Sequence, residues 1–224
     1  MSSFRPRQVV IVFFATMLLL ASTAGVTSAA PGDLDPTFDG DGIVITNMGG
    51  GPGVPLSQAI QGDGKIVGAT SCNGTVFDFC LARYNTDGSL DTTFDGDGKV
   101  LTDIAGGFDE AWGVAIQADG RIVAGGACGP NSYQTFCLAR YNTDGSLDTT
   151  FDGDGKVTTD ILGNSATGNV GGAKGRDLVL QSDGKIVLVG FCGAFNQFFT
   201  VLRDACLARY NTDGSLDSTF SGDG

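Results

Sequence analysis

The chain has 224 residues, with 13 Lys and Arg against 25 Asp and Glu, for a formal net charge of −12. That balance argues against a nucleic-acid partner or an anionic membrane surface. No histidine is present, which removes His-based triads, zincin motifs and imidazole general bases. Glycine supplies 36 residues, far above the usual ~7%, and with Asp and Asn it marks a turn-rich, all-β chain.

The chain opens with a leader. Arg5 and Arg7 form a short positive region, Val9 to Leu20 an apolar run, and Thr27-Ser28-Ala29-Ala30 a small-residue cleavage site. This order reads as a secretory signal peptide over residues 1–29, cut after Ala29, because a cut after Ala30 leaves Pro31 first. A retained anchor is the rival reading, but the apolar run is shorter than the ~20 residues of a spanning helix. Loss of Arg5 and Arg7 with the leader moves the charge from −12 to −14. No later stretch is apolar enough to cross a bilayer.

Residues 30–224 are repetitive. CLARYNTDGSLDTTFDGDGKV occurs at Cys80–Val100 and again, identically, at Cys137–Val157. A third copy, CLARYNTDGSLDSTFSGDG, runs from Cys206 to Gly224, and a partial copy, GDLDPTFDGDGIV, begins at Gly32. A second element reads QGDGKIVGATSC at Gln61, QADGRIVAGGAC at Gln117 and QSDGKIVLVGFC at Gln181. The repeat phenylalanines Phe38, Phe94, Phe151 and Phe220 lie 56, 57 and 69 residues apart. The extra length falls at two places within the last unit, which marks both as loops.

The units run roughly over 43–98, 99–155 and 156–224, and each reads as four short strands. In the second unit these are Lys99–Ile104, Ala111–Gln117, Arg121–Cys128 and Phe136–Asn142. Asp119-Gly120 fits a tight hairpin turn, repeated at Asp63-Gly64 and Asp183-Gly184. Apolar residues on both faces, as in Leu178-Val179-Leu180, suit a sheet covered on both sides. The expectation is an all-β, β-propeller-type array of about three four-stranded antiparallel blades. A β-solenoid is the rival.

The patterns Q-x-D-G-K-I-V and L-A-R-Y-N-x-D-G-S-L-D-x-x-F-x-G-D-G resemble the delta-60 repeat, a bacterial propeller repeat of unknown function. The resemblance implies a secreted or cell-surface β-propeller and brings no catalytic residues. Two departures stand out: a cysteine pair in every unit, and only three complete hairpins. Closed propellers take about four to eight blades. The chain therefore reads as a fragment of a longer propeller, as half of a ring closed by self-association of two copies, or as three units packed in another way.

The six cysteines fall as Cys72/Cys80, Cys128/Cys137 and Cys192/Cys206, each pair flanking the same hairpin loop. That placement favours three disulfides in an oxidising compartment over free thiols or a zinc site, since no C-x-x-C occurs.

The loop from Asn85 to Gly98 is rich in oxygen ligands, and Asp95 with Asp97 imitates part of a D-x-D-G calcium loop. Placing Asp97-Gly98 at loop positions 5 and 6 puts Thr93 at position 1 and Ile104 at position 12, so an EF-hand fails. Turn capping is the simpler reading. Weak calcium binding, the only cofactor in view, has Asp39, Asp41, Asp95, Asp97, Asp152 and Asp154 as its ligand candidates.

Arg83, Arg140 and Arg209 read either as a ring of anion-contacting groups or as partners of Asp91, Asp148 and Asp217. Tyr84, Tyr141 and Tyr210 beside them read as packing between blades. Trp112 matches Leu56 and Arg176 at its equivalents, so it stands outside the template and is a possible binding residue. The Asn196–Phe199 insertion is also unique, and Asn73-Gly74-Thr75 is a lone glycosylation sequon.

The functional expectation is a secreted or cell-surface, non-enzymatic scaffold whose partner is a protein or glycan. The alternatives are a calcium-dependent adhesion module and a propeller hydrolase or lyase using paired carboxylates. Asp109, Glu110, Asp177 and Asp204 are the few acids outside the repeated turns.

Overall fold

The structure is a computed structural model that describes residues 30, 32–49, 57–72, 76–130, 133–163, 171–194, 204–222 and 224. The leader over 1–29, Leu56, the sequon at Asn73 and the Asn196–Phe199 insertion lie outside these residues. The chain divides into Met1–Asp33 and Leu34–Gly224. In the first part, the Ala30 amide donates to the Asp33 carboxylate at 3.0 Å.

The second part is all β among the described residues. The first sheet is built from β1 (Ser57–Ile60), β2 (Ile66–Cys72), β3 (Asp78–Tyr84) and β4 (Lys99–Thr102). The second holds β5 (Glu110–Ile116), β6 (Ile122–Cys128), β7 (Thr135–Tyr141) and β8 (Lys156–Thr159). The third holds β9 (Gly171–Leu180), β10 (Ile186–Ala194) and β11 (Asp204–Tyr210). Strands follow one another in sequence order and pair antiparallel within each sheet. Three four- and three-stranded sheets of this kind form an incomplete, propeller-like array.

Local chemistry sets each turn. Between β1 and β2, the Gln61 amide donates to the Lys65 carbonyl at 2.8 Å and the Gly64 amide to the Gln61 carbonyl at 2.9 Å. Asp63 accepts the Lys65 amide at 3.1 Å, and Gly64 adopts φ +86°. A Gly at this left-handed position completes a three-residue hairpin loop without steric cost. The same bonds recur at Gln117–Arg121 and Gln181–Lys185.

The longer return loop after β3 decides where a sheet ends. The Arg83 amide donates to the Gly98 carbonyl at 2.9 Å, and the Gly98 amide to the Phe94 carbonyl at 2.7 Å. These bonds fold the chain back, so that Ala82 pairs with Lys99 and Phe79 with Thr102. The strand expected to open the second unit therefore closes the first sheet, and β8 closes the second in the same register. A sequence repeat fixes the period but leaves its starting point open. The return loop supplies that starting point. The equivalent run Ile43–Thr46 has no ladder partner among the described residues, and Ile45 is 92% exposed.

The sheets stack. β5 lies against β1, β2 and β3, and β9 lies against β5, β6 and β7. Val67, Phe79, Leu81, Phe94, Ile122 and Tyr141 fill the first interface, all fully buried. Phe136, Leu138, Phe151, Ile186, Leu188 and Tyr210 fill the second. The loop phenylalanines plug each junction: a Cβ at Gly145 would stand 3.0 Å from the Phe94 ring, and one at Gly214 would stand 3.1 Å from Phe151. Burying a side chain of this size contributes about 1.5–3 kcal/mol. The tyrosines bridge sheets as expected, with Tyr141 donating to Thr102 and Tyr210 to Thr159, both at 2.9 Å. Tyr84 reaches Thr46 at 2.8 Å in the same way.

Three disulfides, Cys72–Cys80, Cys128–Cys137 and Cys192–Cys206, join β2 to β3, β6 to β7 and β10 to β11. The Cα separations of 5.8–5.9 Å lie at the usual value for bridged neighbours.

Candidate functional site

The repeated charges are engaged with one another. Arg83 donates through Nε to Asp91 at 2.8 Å, Arg140 to Asp148 at 2.8 Å and Arg209 to Asp217 at 2.7 Å. Each aspartate takes a second cation from the hairpin loop: Lys65 at 2.9 Å, Arg121 at 3.0 Å and Lys185 at 2.7 Å. Each also accepts the hydroxyl of Thr93, Thr150 or Thr219 at 2.7 Å. The guanidinium groups lie 4.5 Å over Phe94, 4.5 Å over Phe151 and 4.6 Å over Phe220. Arg83 and Arg140 reach onward to the Thr143 and Thr212 carbonyls of the next unit.

Desolvation opposes ionisation of Asp91, but the Thr93 and Lys65 hydrogen bonds and the Arg83 charge outweigh it and hold its carboxyl well below the usual range. Desolvation is likewise overcome at Asp148 by Thr150 and by Arg140 and Arg121. Hydrogen bonds from Lys185 and Thr219 lower Asp217. These groups brace the fold, and their geometry matches the partner reading rather than a ring of free arginines.

The six calcium candidates sit in exposed turns. Asp41, Asp97 and Asp154 each accept the amide two residues on, at 2.9 Å. Asp39, Asp95 and Asp152 adopt φ of 49°, 50° and 51°, and their amides donate to the Asp87, Asp144 and Asp213 carbonyls at 2.7–2.8 Å. Among the described residues, the carboxylate trio within 4.8 Å of one another is a different one, Asp78, Asp103 and Asp109. Sequence spacing gave no sign of it, because loops bring the three together. Asp109 is fully buried and accepts the amides of Ile104 at 2.6 Å, Ala105 at 3.2 Å and Gly129 at 3.1 Å. Burial raises its carboxyl above the ordinary value against those three hydrogen bonds. Its role is to hold the β4–β5 connection.

The residues outside the template converge elsewhere. Glu110 and Trp112 on β5 occupy the same repeat positions as Lys174 and Arg176 on β9. Lys174 pairs with Glu110 at 2.9 Å, and the Arg176 guanidinium lies 3.9 Å over the Trp112 ring and 5.0 Å from the Phe191 ring. Both strands bulge here. The ladder skips Trp112 between Ala111 and Gly113, and it skips Arg176 between Gly175 and Asp177. A bulge re-aims the extra side chain. Gln134, 3% exposed, donates to the Phe108 carbonyl at 2.9 Å and faces Glu110 at 3.4 Å. Its Oε1 and the Trp112 Nε1 are buried without a hydrogen-bond partner. The singling out of Trp112 leads to this cluster, while Lys174 and Gln134 carried no sequence signal.

Residues 61–94, 117–151 and 181–220 match the model of a β-propeller family described as a domain of unknown function (DUF5122). The three matches fall one in each repeat unit. Each match runs from the hairpin glutamine to the return-loop phenylalanine, so the family pattern covers the turn and brace residues and omits the β5 and β9 bulges. No curated protein matches the chain. Among solved structures it is similar to an endo-1,4-beta-xylanase from Bacteroides thetaiotaomicron, at a TM-score of 0.38 and 14% identity. The match covers 73% of this chain and 62% of that one, so the chain spans less than two thirds of that structure. A likeness of this size carries no argument about activity.

Proposed function

We propose that this β-propeller repeat protein is a secreted, non-enzymatic scaffold that binds a protein or glycan at the cell surface. The observation that carries the reading is the engagement of its repeated acids. Asp91, Asp148 and Asp217 each hold two cations and a threonine hydroxyl, and the turn aspartates accept backbone amides. The lowered carboxyls of Asp91, Asp148 and Asp217 make poor general bases, and the hydrogen bonds at the turn aspartates occupy lone pairs that a general base would use. The leader and the disulfides favour an oxidising destination, and the finer likeness to the delta-60 repeat agrees with it.

The test is expression of the full gene product from its own leader. The reading expects a processed, oxidised chain outside the cell that retains a surface ligand and leaves a panel of polysaccharides uncleaved. A chain retained in the cytoplasm with free thiols, or one that releases sugars with Glu110 intact and fails to do so as Glu110→Gln, would overturn it.

A further inference from the structure

Arg83, Arg121, Arg140 and Arg209 each hold a carboxylate. Arg176 makes no ion pair or hydrogen bond among the described residues, although acids outnumber bases 25 to 13 in the chain. Its guanidinium lies instead over two aromatic rings, Trp112 at 3.9 Å and Phe191 at 5.0 Å. With no acceptor on its N–H groups among the described residues, its planar fork of donors fits a carboxylate bidentately. Fixing the side chain beforehand also lowers the entropy lost when a ligand binds.

The neighbours add donors and an acceptor. Lys174, two residues earlier on β9, is 32% exposed in its side chain and has one of three N–H groups directed to Glu110. Gln134 Oε1 lacks a donor and Trp112 Nε1 lacks an acceptor. A bare carboxylate leaves Gln134 Oε1 unsatisfied, since that atom only accepts. A ligand bearing both a carboxylate and hydroxyl groups meets both needs.

We propose that Arg176, stacked on Trp112 and flanked by Lys174 and Gln134, anchors a hydroxylated carboxylate ligand of the uronate type. The proposal rests on the reading of the chain as a binding module and names the chemistry of what it holds. The carboxylate lies in plane with the Arg176 fork, and ligand hydroxyls pair with Gln134 and Lys174. A monomeric hydroxy acid and a uronate within a polysaccharide share this chemistry.

The test is isothermal titration of the full oxidised chain with galacturonate, with an oligogalacturonide and with galactose, which lacks the carboxylate. Galacturonate binding at least tenfold tighter than galactose, weakening as salt rises, is the expected result. Tighter binding of the oligomer assigns the site to a polymer, and equal binding per residue assigns it to a small acid. Arg176→Lys keeps the charge and loses the fork, and is expected to weaken galacturonate at least tenfold while the chain stays folded and oxidised. Equal affinity for galacturonate and galactose, no binding of either acid, or undiminished binding by Arg176→Lys and Arg176→Gln overturns the site. Loss of uronate binding with secretion and surface retention intact removes this site alone and leaves the scaffold reading standing.

Discussion

Trp112 and Arg176 hold the same place in successive repeats, and the structure brings them face to face at 3.9 Å. The positions one step outward, Glu110 and Lys174, are also equivalent and pair at 2.9 Å. Two repeats have thus become complementary where the template leaves freedom. A stacked cation of this kind contributes about 0.5–2 kcal/mol depending on desolvation. A double-mutant cycle of Trp112→Leu and Arg176→Met, read by urea unfolding, should return a coupling within that range. Additive effects of the two substitutions would show that the stack is adjacency without energy.

The bulge that presents Trp112 depends on Gly126. A Cβ there would stand 1.9 Å from the Glu110 carbonyl oxygen, whereas Gly68 has nothing within 4 Å. Gly126→Ala should therefore cost about 1–3 kcal/mol or more through overpacking, and Gly68→Ala should change stability by well under that. Comparison of the two variants by chemical denaturation checks this contrast.

Much of this architecture was legible in the sequence for a physical reason. The hairpin glycines, the paired cysteines and the Arg–Asp partners are local, separated by a turn, and repetition made each visible three times. The starting point of the sheets was not legible, because the register of Lys99–Thr102 is decided by hydrogen bonds of Arg83 and Phe94 with Gly98. The bulge cluster was half legible. Trp112 stood out as a departure from the template, but its contact with Arg176 joins residues 64 apart that share a repeat position and meet only when the sheets stack. The Asp109 connection was the least visible, since a single acid gives no sign that three amides converge on it.

The staples should matter most singly. Each disulfide closes a short loop, of 8, 9 or 14 residues, and should contribute about 2–3 kcal/mol. Replacing Cys128 and Cys137 together by serine places two hydroxyls in a fully buried position and adds a desolvation cost. The same exchange at Cys192 and Cys206 meets a more exposed site, because Cys206 is half-buried. Urea midpoints of the two double variants should fall in that order, with Cys128/Cys137 the more damaging.

Acid should unfold the chain through its braced aspartates. Asp91, Asp148 and Asp217 have carboxyls lowered in the fold, so their stabilisation is complete above the unfolded value of about 3.9 and fades as pH falls through the lower folded values. Asp109 acts with the opposite sign. Its raised carboxyl opposes folding while charged, and this cost is relieved as pH falls through the folded value. Asp148→Asn should cost about 3 kcal/mol at neutral pH, because it leaves Arg140 buried without its charge partner. Its stability gap from the unsubstituted chain should narrow as pH falls below the unfolded value of about 3.9, measured by urea unfolding across pH.

The acidic turns offer a last discrimination, between capping and calcium. Asp97 already gives one carboxylate oxygen to the Lys99 amide at 2.9 Å, and Asp95 gives its amide to the Asp144 carbonyl of the next unit at 2.7 Å. If capping is the whole role, Asp97→Ala costs about 0.5–1.5 kcal/mol, the net value of a hydrogen bond, and the loss is the same in chelator and in millimolar calcium. Calcium coordination by Asp95 and Asp97 predicts a different pattern. The melting temperature of the unsubstituted chain would rise with calcium and not with magnesium, and Asp97→Ala would abolish the rise. Because Asp41 and Asp154 make the same bond in their own units, the capping account further expects Asp154→Ala to match Asp97→Ala in size. A calcium-dependent difference between those two variants would remove the capping account.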